Sequence, residues 1–114
     1  MTDSKTYEVA GADVIVTVTT YPLNIEVHIT VDLARLDEGL SDHSPHQIVQ
    51  YVSLPHYRKR DTYWWRKLHR TVRVRTGAQA RRVVQHALAR IDDAIEDAIL
   101  RRRSRWQESR DILA

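Results

Sequence analysis

The chain has 114 residues, 42% apolar and 29% charged, with no cysteine and a net charge of +3. This is the size and balance of one domain around one modest core, and it sets the chain apart from disordered sequences. No disulfide framework or thiolate metal site is possible, residues 1–6 hold no apolar signal core, and no apolar run nears the roughly 20 residues that span a bilayer; a cytoplasmic, non-membrane protein is expected.

In chain order, residues 6–33 read as a β-meander. Tyr7 to Val9 is a short first strand, joined through Gly11 to the β-branched run Val14 to Thr20. Tyr21-Pro22 ends that run, because proline donates nothing to a ladder. From Asn24 to Leu33 the pattern has period two. Ile25, Val27, Ile29, Val31 and Leu33 share one face, and Glu26, His28, Thr30 and Asp32 the other. Such alternation marks a strand with one buried and one wet side.

Residues 34–44 are acidic, contain Gly39 and are predicted to form a loop. A short helix is expected over 44–54. Ser44 suits an N-cap, Pro45 the first helical position, and Gln47 could close a capping box. Leu54-Pro55 stops it, since the residue before proline avoids helical geometry. Residues 55–75 form a basic-aromatic segment, His-Tyr-Arg-Lys-Arg over 56–60 and Tyr-Trp-Trp-Arg-Lys over 63–67, ending in a strand over 68–75. Leu68, Val72 and Val74 share a strand face, although Trp64, Leu68 and Val72 also fit helical spacing; the Thr71–Arg75 run favours the strand.

A long amphipathic helix is predicted over 77–108. Thr76-Gly77-Ala78-Gln79 is a second capping box. Apolar residues at Ala80, Val83, Val84, Ala87, Leu88, Ile91, Ala94, Ile95, Ala98 and Ile99 make one stripe, which Arg102 interrupts. A helix reaching Ser104 is roughly 40 Å long, against about 17–20 Å for a typical strand. The distal stripe therefore outruns a sheet. The expected fold is α+β: a three- to four-stranded, mainly antiparallel sheet, one short helix, and the long C-terminal helix packed on one face.

Charge is segregated. Residues 1–55 sum to −6 and residues 83–114 to zero. Residues 56–82 sum to +9, with Asp61 the sole acid. Arginine and lysine neutralise phosphate while aromatic faces stack on bases, so this mixture suits nucleic acid or another acidic partner. The candidate contacts are Arg58, Lys59, Arg60, Tyr63, Trp65, Arg66, Lys67, Arg73, Arg75, Arg81 and Arg82. The bland account keeps Trp64 or Trp65 in the core and pairs the charges with the acidic N-terminal half.

A different class of function is a protein–protein interaction or assembly subunit, the role small viral or accessory proteins often fill. There the distal helix, with Ala98, Ile99 and Trp106, forms an interface or homodimer, since burying each aliphatic side chain is worth about 1.5–3 kcal/mol. His43 and His46, three apart and near His56, are too few to define a zinc site, and no metal or cofactor is expected. Catalysis has only His56, His69 and Asp61 to draw on. The chain carries no Gly-x-Ser-x-Gly, Walker loop or dinucleotide fingerprint. A non-enzymatic binding protein is the favoured reading.

Overall fold

The computed structural model describes residues 1–40, 46–60 and 66–113, with side chains as far as Glu108. Five strands form one antiparallel sheet in the order β1-β2-β3-β5-β4. They are β1 (Thr2–Val9), β2 (Ala12–Thr20), β3 (Ile25–Asp32), β4 (Arg58–Lys59) and β5 (Lys67–Val74). A short helix, α1 (Ala34–Gly39), and a 3-10 turn (Ile48–Gln50) lie between β3 and β4, and α2 runs Gly77–Leu113. The α+β expectation holds, with one strand more than foreseen.

The meander starts earlier than the alternation implied. β1 pairs with β2 from Thr2↔Thr19 to Val9↔Ala12 without interruption. Residues 2–6 show no apolar alternation because both sides of the sheet are wet there: Thr2 to Thr6 are all exposed. Hydroxyl pairs hold them instead, Thr2 to Thr19 at 3.3 Å and Ser4 to Thr17 at 2.9 Å. The turn between the strands places Ala10 at φ 50° and Gly11 at φ 88°. Two positive φ values in a two-residue loop match the twist of a hairpin, and glycine takes the second without steric cost.

One sheet face is core. Val14, Val16, Val27, Ile29, Val31 and Leu68 meet Ala80, Ala87, Ile91, Ile95 and Ala98 of α2. The capping box at Thr76 forms as expected: Thr76 Oγ1 accepts from the Gln79 N–H at 3.1 Å, and Gln79 Oε1 accepts from the Thr76 and Arg75 N–H groups at 3.2 and 2.9 Å.

The connection between β3 and β5 differs from expectation. Residues 34–39 form α1 where a loop was predicted, and the helix expected over 44–54 is only the turn at 48–50. Ser44 and Pro45 of the predicted cap fall outside the described residues. Among the described ones, the Ile48 N–H is taken by Asp37 Oδ1 at 2.7 Å. That bond docks the turn on α1 and buries Leu36, Ile48 and Val49 in the main core.

This corrects the reading of the distal helix. The sheet alone does not cover α2, but α1 and the turn extend the apolar floor beneath it. Ala98 is fully buried and Ile99 packs against the core, so neither is a free interface. Arg102, expected to break the stripe, continues it: 5% exposed, its Nε donates to the His46 carbonyl at 2.9 Å and its Nη2 to that of Leu40 at 3.5 Å. Trp106 is half-buried. No helix of the described residues is long and apolar enough to cross a membrane.

Candidate nucleic-acid interface

The sheet face away from α2 is polar throughout. β3 pairs with β5 so that Glu26 faces Arg73, His28 faces Thr71, Thr30 faces His69 and Asp32 faces Lys67. The period-two pattern of both strands dictates this: their apolar residues turn to the core, and their charged and hydroxyl residues turn outward together.

A hydrogen-bonded chain crosses these two strands. Thr30 Oγ1 lies 3.2 Å from His69 Nδ1, His69 Nε2 3.2 Å from Thr71 Oγ1, and Thr71 Oγ1 3.0 Å from His28 Nδ1. His28 Nε2 lies 3.4 Å from Glu26 Oε2. Glu26 only accepts, so His28 Nε2 donates to it. With one N–H on each ring, the remaining directions follow: Thr71 donates to His28, His69 donates to Thr71, and Thr30 donates to His69. The two imidazoles are near-parallel, centroids 5.9 Å apart. Burial first, then the Arg60 guanidinium and the neighbouring His28 ring, hold the His69 pKa below its ordinary value. Desolvation pulls Glu26 upward, but hydrogen bonds from Arg73 and His28 outweigh it and the net shift is downward.

This chain orders the face. Thr71 is engaged by two imidazoles at once, and of the sequence's catalytic candidates only His69 takes part. His56 is exposed at φ 69° on the approach to β4, and Asp61 lies outside the described residues. His28, Thr30 and Thr71 were not singled out from sequence; each looked like an ordinary wet-face residue, and only the register of β3 against β5 brings them together.

The acids of this face are already paired. Arg35 bridges Asp13 at 2.8 Å and Glu8 at 3.6 Å, Arg73 bridges Glu26 at 3.1 Å, and Lys67 lies 3.8 Å from Asp32. Behind them, Arg66 lies 3.7 Å from the largely buried Asp37. Two predicted contact residues, Arg66 and Lys67, are thus partly committed within the chain, and Arg73 is committed on one side only, its side chain 72% exposed. Arg70 turns to the other face and lies over the Tyr57 ring at 5.8 Å.

The rest of the basic set has no such partner. Among the described residues, Arg58, Lys59, Arg60, Arg75, Arg81 and Arg82 are exposed and no carboxylate lies within 4.0 Å of them. All but Arg81 form two groups. Arg58, Lys59 and Arg60 flank the start of β5, where Arg58 pairs His69 and Lys59 pairs Leu68. Arg75 and Arg82 lie past its end, where Arg73, Arg75, Gln79 and Arg82 line a shallow groove of about 440 Å³ between β5 and α2, whereas Arg81, a predicted contact, stands apart from both groups and lines the groove on the β1 side of α2. At about 3.3 Å per residue, the two groups are roughly 23 Å apart along β5. Tyr63 and Trp65 lie outside the described residues, as does His43 of the weighed histidine cluster. Among the described residues no group of three or more His, Asp or Glu side chains is placed to hold a metal.

Comparison with protein-family models, with curated proteins and with solved structures gives no match to the chain.

Proposed function

We propose that this chain is a non-enzymatic, cytoplasmic binding protein that engages nucleic acid through the β4–β5 margin of its sheet. One observation carries the reading. The acids of the open face are consumed by Arg35, Arg73 and Lys67, while Arg58, Lys59, Arg60, Arg75 and Arg82 remain exposed and uncompensated at this margin. A net charge of only +3 thus resolves into a local positive strip. The two groups, roughly 23 Å apart, match about seven phosphates along one strand of a duplex at 3.4 Å each. The half-buried His28 and His69 rings between them add planar surface of the kind bases meet.

The test is a gel shift with mixed duplex DNA and RNA at low salt, followed by a salt titration. Retention is expected, with the logarithm of affinity falling linearly with the logarithm of salt. The triple variant Arg58→Ala, Lys59→Ala, Arg60→Ala should lower the duplex slope by about 2–3, since each lost phosphate contact removes about 0.9. No retention at low salt, or a slope unchanged by that variant, would sink the proposal.

A further inference from the structure

At the opposite margin, β1 ends the sheet with eight residues whose ladder to β2 contains no bulge and whose sequence contains no proline. Natural sheets blunt such margins with bulges, prolines or charges, because unpaired N–H and C=O groups are a template for another strand. Which groups are free follows from one bond. The Met1 carbonyl accepts from the Thr20 N–H at 2.9 Å, so odd-numbered residues of β1 turn their backbone groups inward. Thr2, Ser4, Thr6 and Glu8 turn theirs outward. Their side chains lie on the polar face, as the Thr2–Thr19 and Ser4–Thr17 contacts show, and Asp3, Lys5 and Tyr7 lie on the α2 face.

We infer that the partner for this margin is a second copy of the chain, joined β1 to β1 in antiparallel register about a two-fold axis at Ser4. That register places Thr2 opposite Thr6, Ser4 opposite Ser4, and Asp3 opposite Lys5 twice over. The outward-facing pairs supply about six inter-chain backbone hydrogen bonds, two for each. Threonine pairs and opposite charges directly across a ladder both stabilise it. Lys5, which would repel many incoming strands, meets Asp3 in its own copy. The shift to a two-fold at Lys5 would set lysine against lysine, so charge disfavours that neighbouring register, and only the Ser4 two-fold sets Asp3 against Lys5.

A second observation lies beneath the same margin. An open groove of about 660 Å³ separates β1 from α2, floored by Val16, Val18 and Ile25, walled by Val84, and rimmed by Lys5 and Arg81. It is the part of the core face that α2 leaves uncovered, and the second copy's strand would narrow it. The joined sheet would have ten strands, with α2 of each copy on the same side and the β4–β5 margins at its two outer ends.

Sedimentation equilibrium over a wide protein concentration range tests this directly. A reversible dimer is expected. Lys5→Asp sets Asp against Asp twice and should weaken it about tenfold or more. The double variant Asp3→Lys, Lys5→Asp restores opposite charges and should restore the dimer. Ser4→Pro removes an N–H that the monomer does not use, and should give a monomer whose circular dichroism matches the parent. A parent chain that stays monomeric, or a dimer that survives both Lys5→Asp and Ser4→Pro, overturns the inference. Loss of dimer in the charge-restored double variant does so too.

Discussion

His69 shows how a single side chain reports the order of a whole face. Its pKa is depressed by burial, then by the Arg60 guanidinium and the neighbouring His28 ring, with Arg58 and Lys67 on the same margin. A depressed imidazole binds fewer protons folded than unfolded, so in the window below the ordinary value of about 6.5 the unfolded chain takes up protons first. Stability should therefore be unaffected by His69 at alkaline pH and should fall as pH drops into that window. Glu26 acts lower: its depressed carboxyl favours the folded state above the usual carboxylate range and loses that effect as acid protonates it. We expect the melting temperature of His69→Gln to decline less than that of the parent between about pH 7.5 and 5.5, whatever the offset between them. Equal declines would show that the imidazole does not carry the effect. Nothing in the local sequence around His69 announces this coupling, because its partners come from a strand far away in the chain.

At the level of elements, the long helix depends on the connection beneath it. Arg102 is 5% exposed, and it ties α2 to the carbonyls of Leu40 and His46. A carbonyl stripped of its donor costs about 1–3 kcal/mol when buried, and two part-buried ones are at stake here. Arg102→Met keeps the apolar stem and removes the donors, so urea denaturation should show a loss of about 2–4 kcal/mol. The same residue explains what the sequence displayed and what it hid. Strands β2, β3 and β5 and the start of α2 were legible because their signals are local: alternation, β-branching, and a Thr–Gln capping box. α1, the turn at 48–50 and the cover over Ala98 were not. They rest on Asp37 reaching the Ile48 N–H and on Arg102 reaching backbone carbonyls, contacts between residues with no periodic relation. The binding strip was half legible. Composition located the basic segment, but only the ion pairs reveal which of its members are spoken for.

For the molecule as a whole, the two margins of the sheet divide the labour proposed for it. The β1 side carries little net charge and is self-complementary, whereas the β4–β5 side is positive and wet, so association through one leaves the other open. The topology has a temporal consequence as well. β1, β2 and β3 join through tight hairpins, but β5 reaches β3 only after residues 33–66 have been looped out. Closing a loop costs entropy that grows with its length, and that cost falls before the distant pairing repays it. The meander should accordingly assemble early, with β5 and α2 arriving on a template already formed. In stopped-flow experiments Val16→Ala should mainly slow refolding, whereas Leu68→Ala should mainly hasten unfolding. Until β5 arrives the edge of β3 is bare, so the order of arrival determines how long the chain is exposed to mispairing with its neighbours.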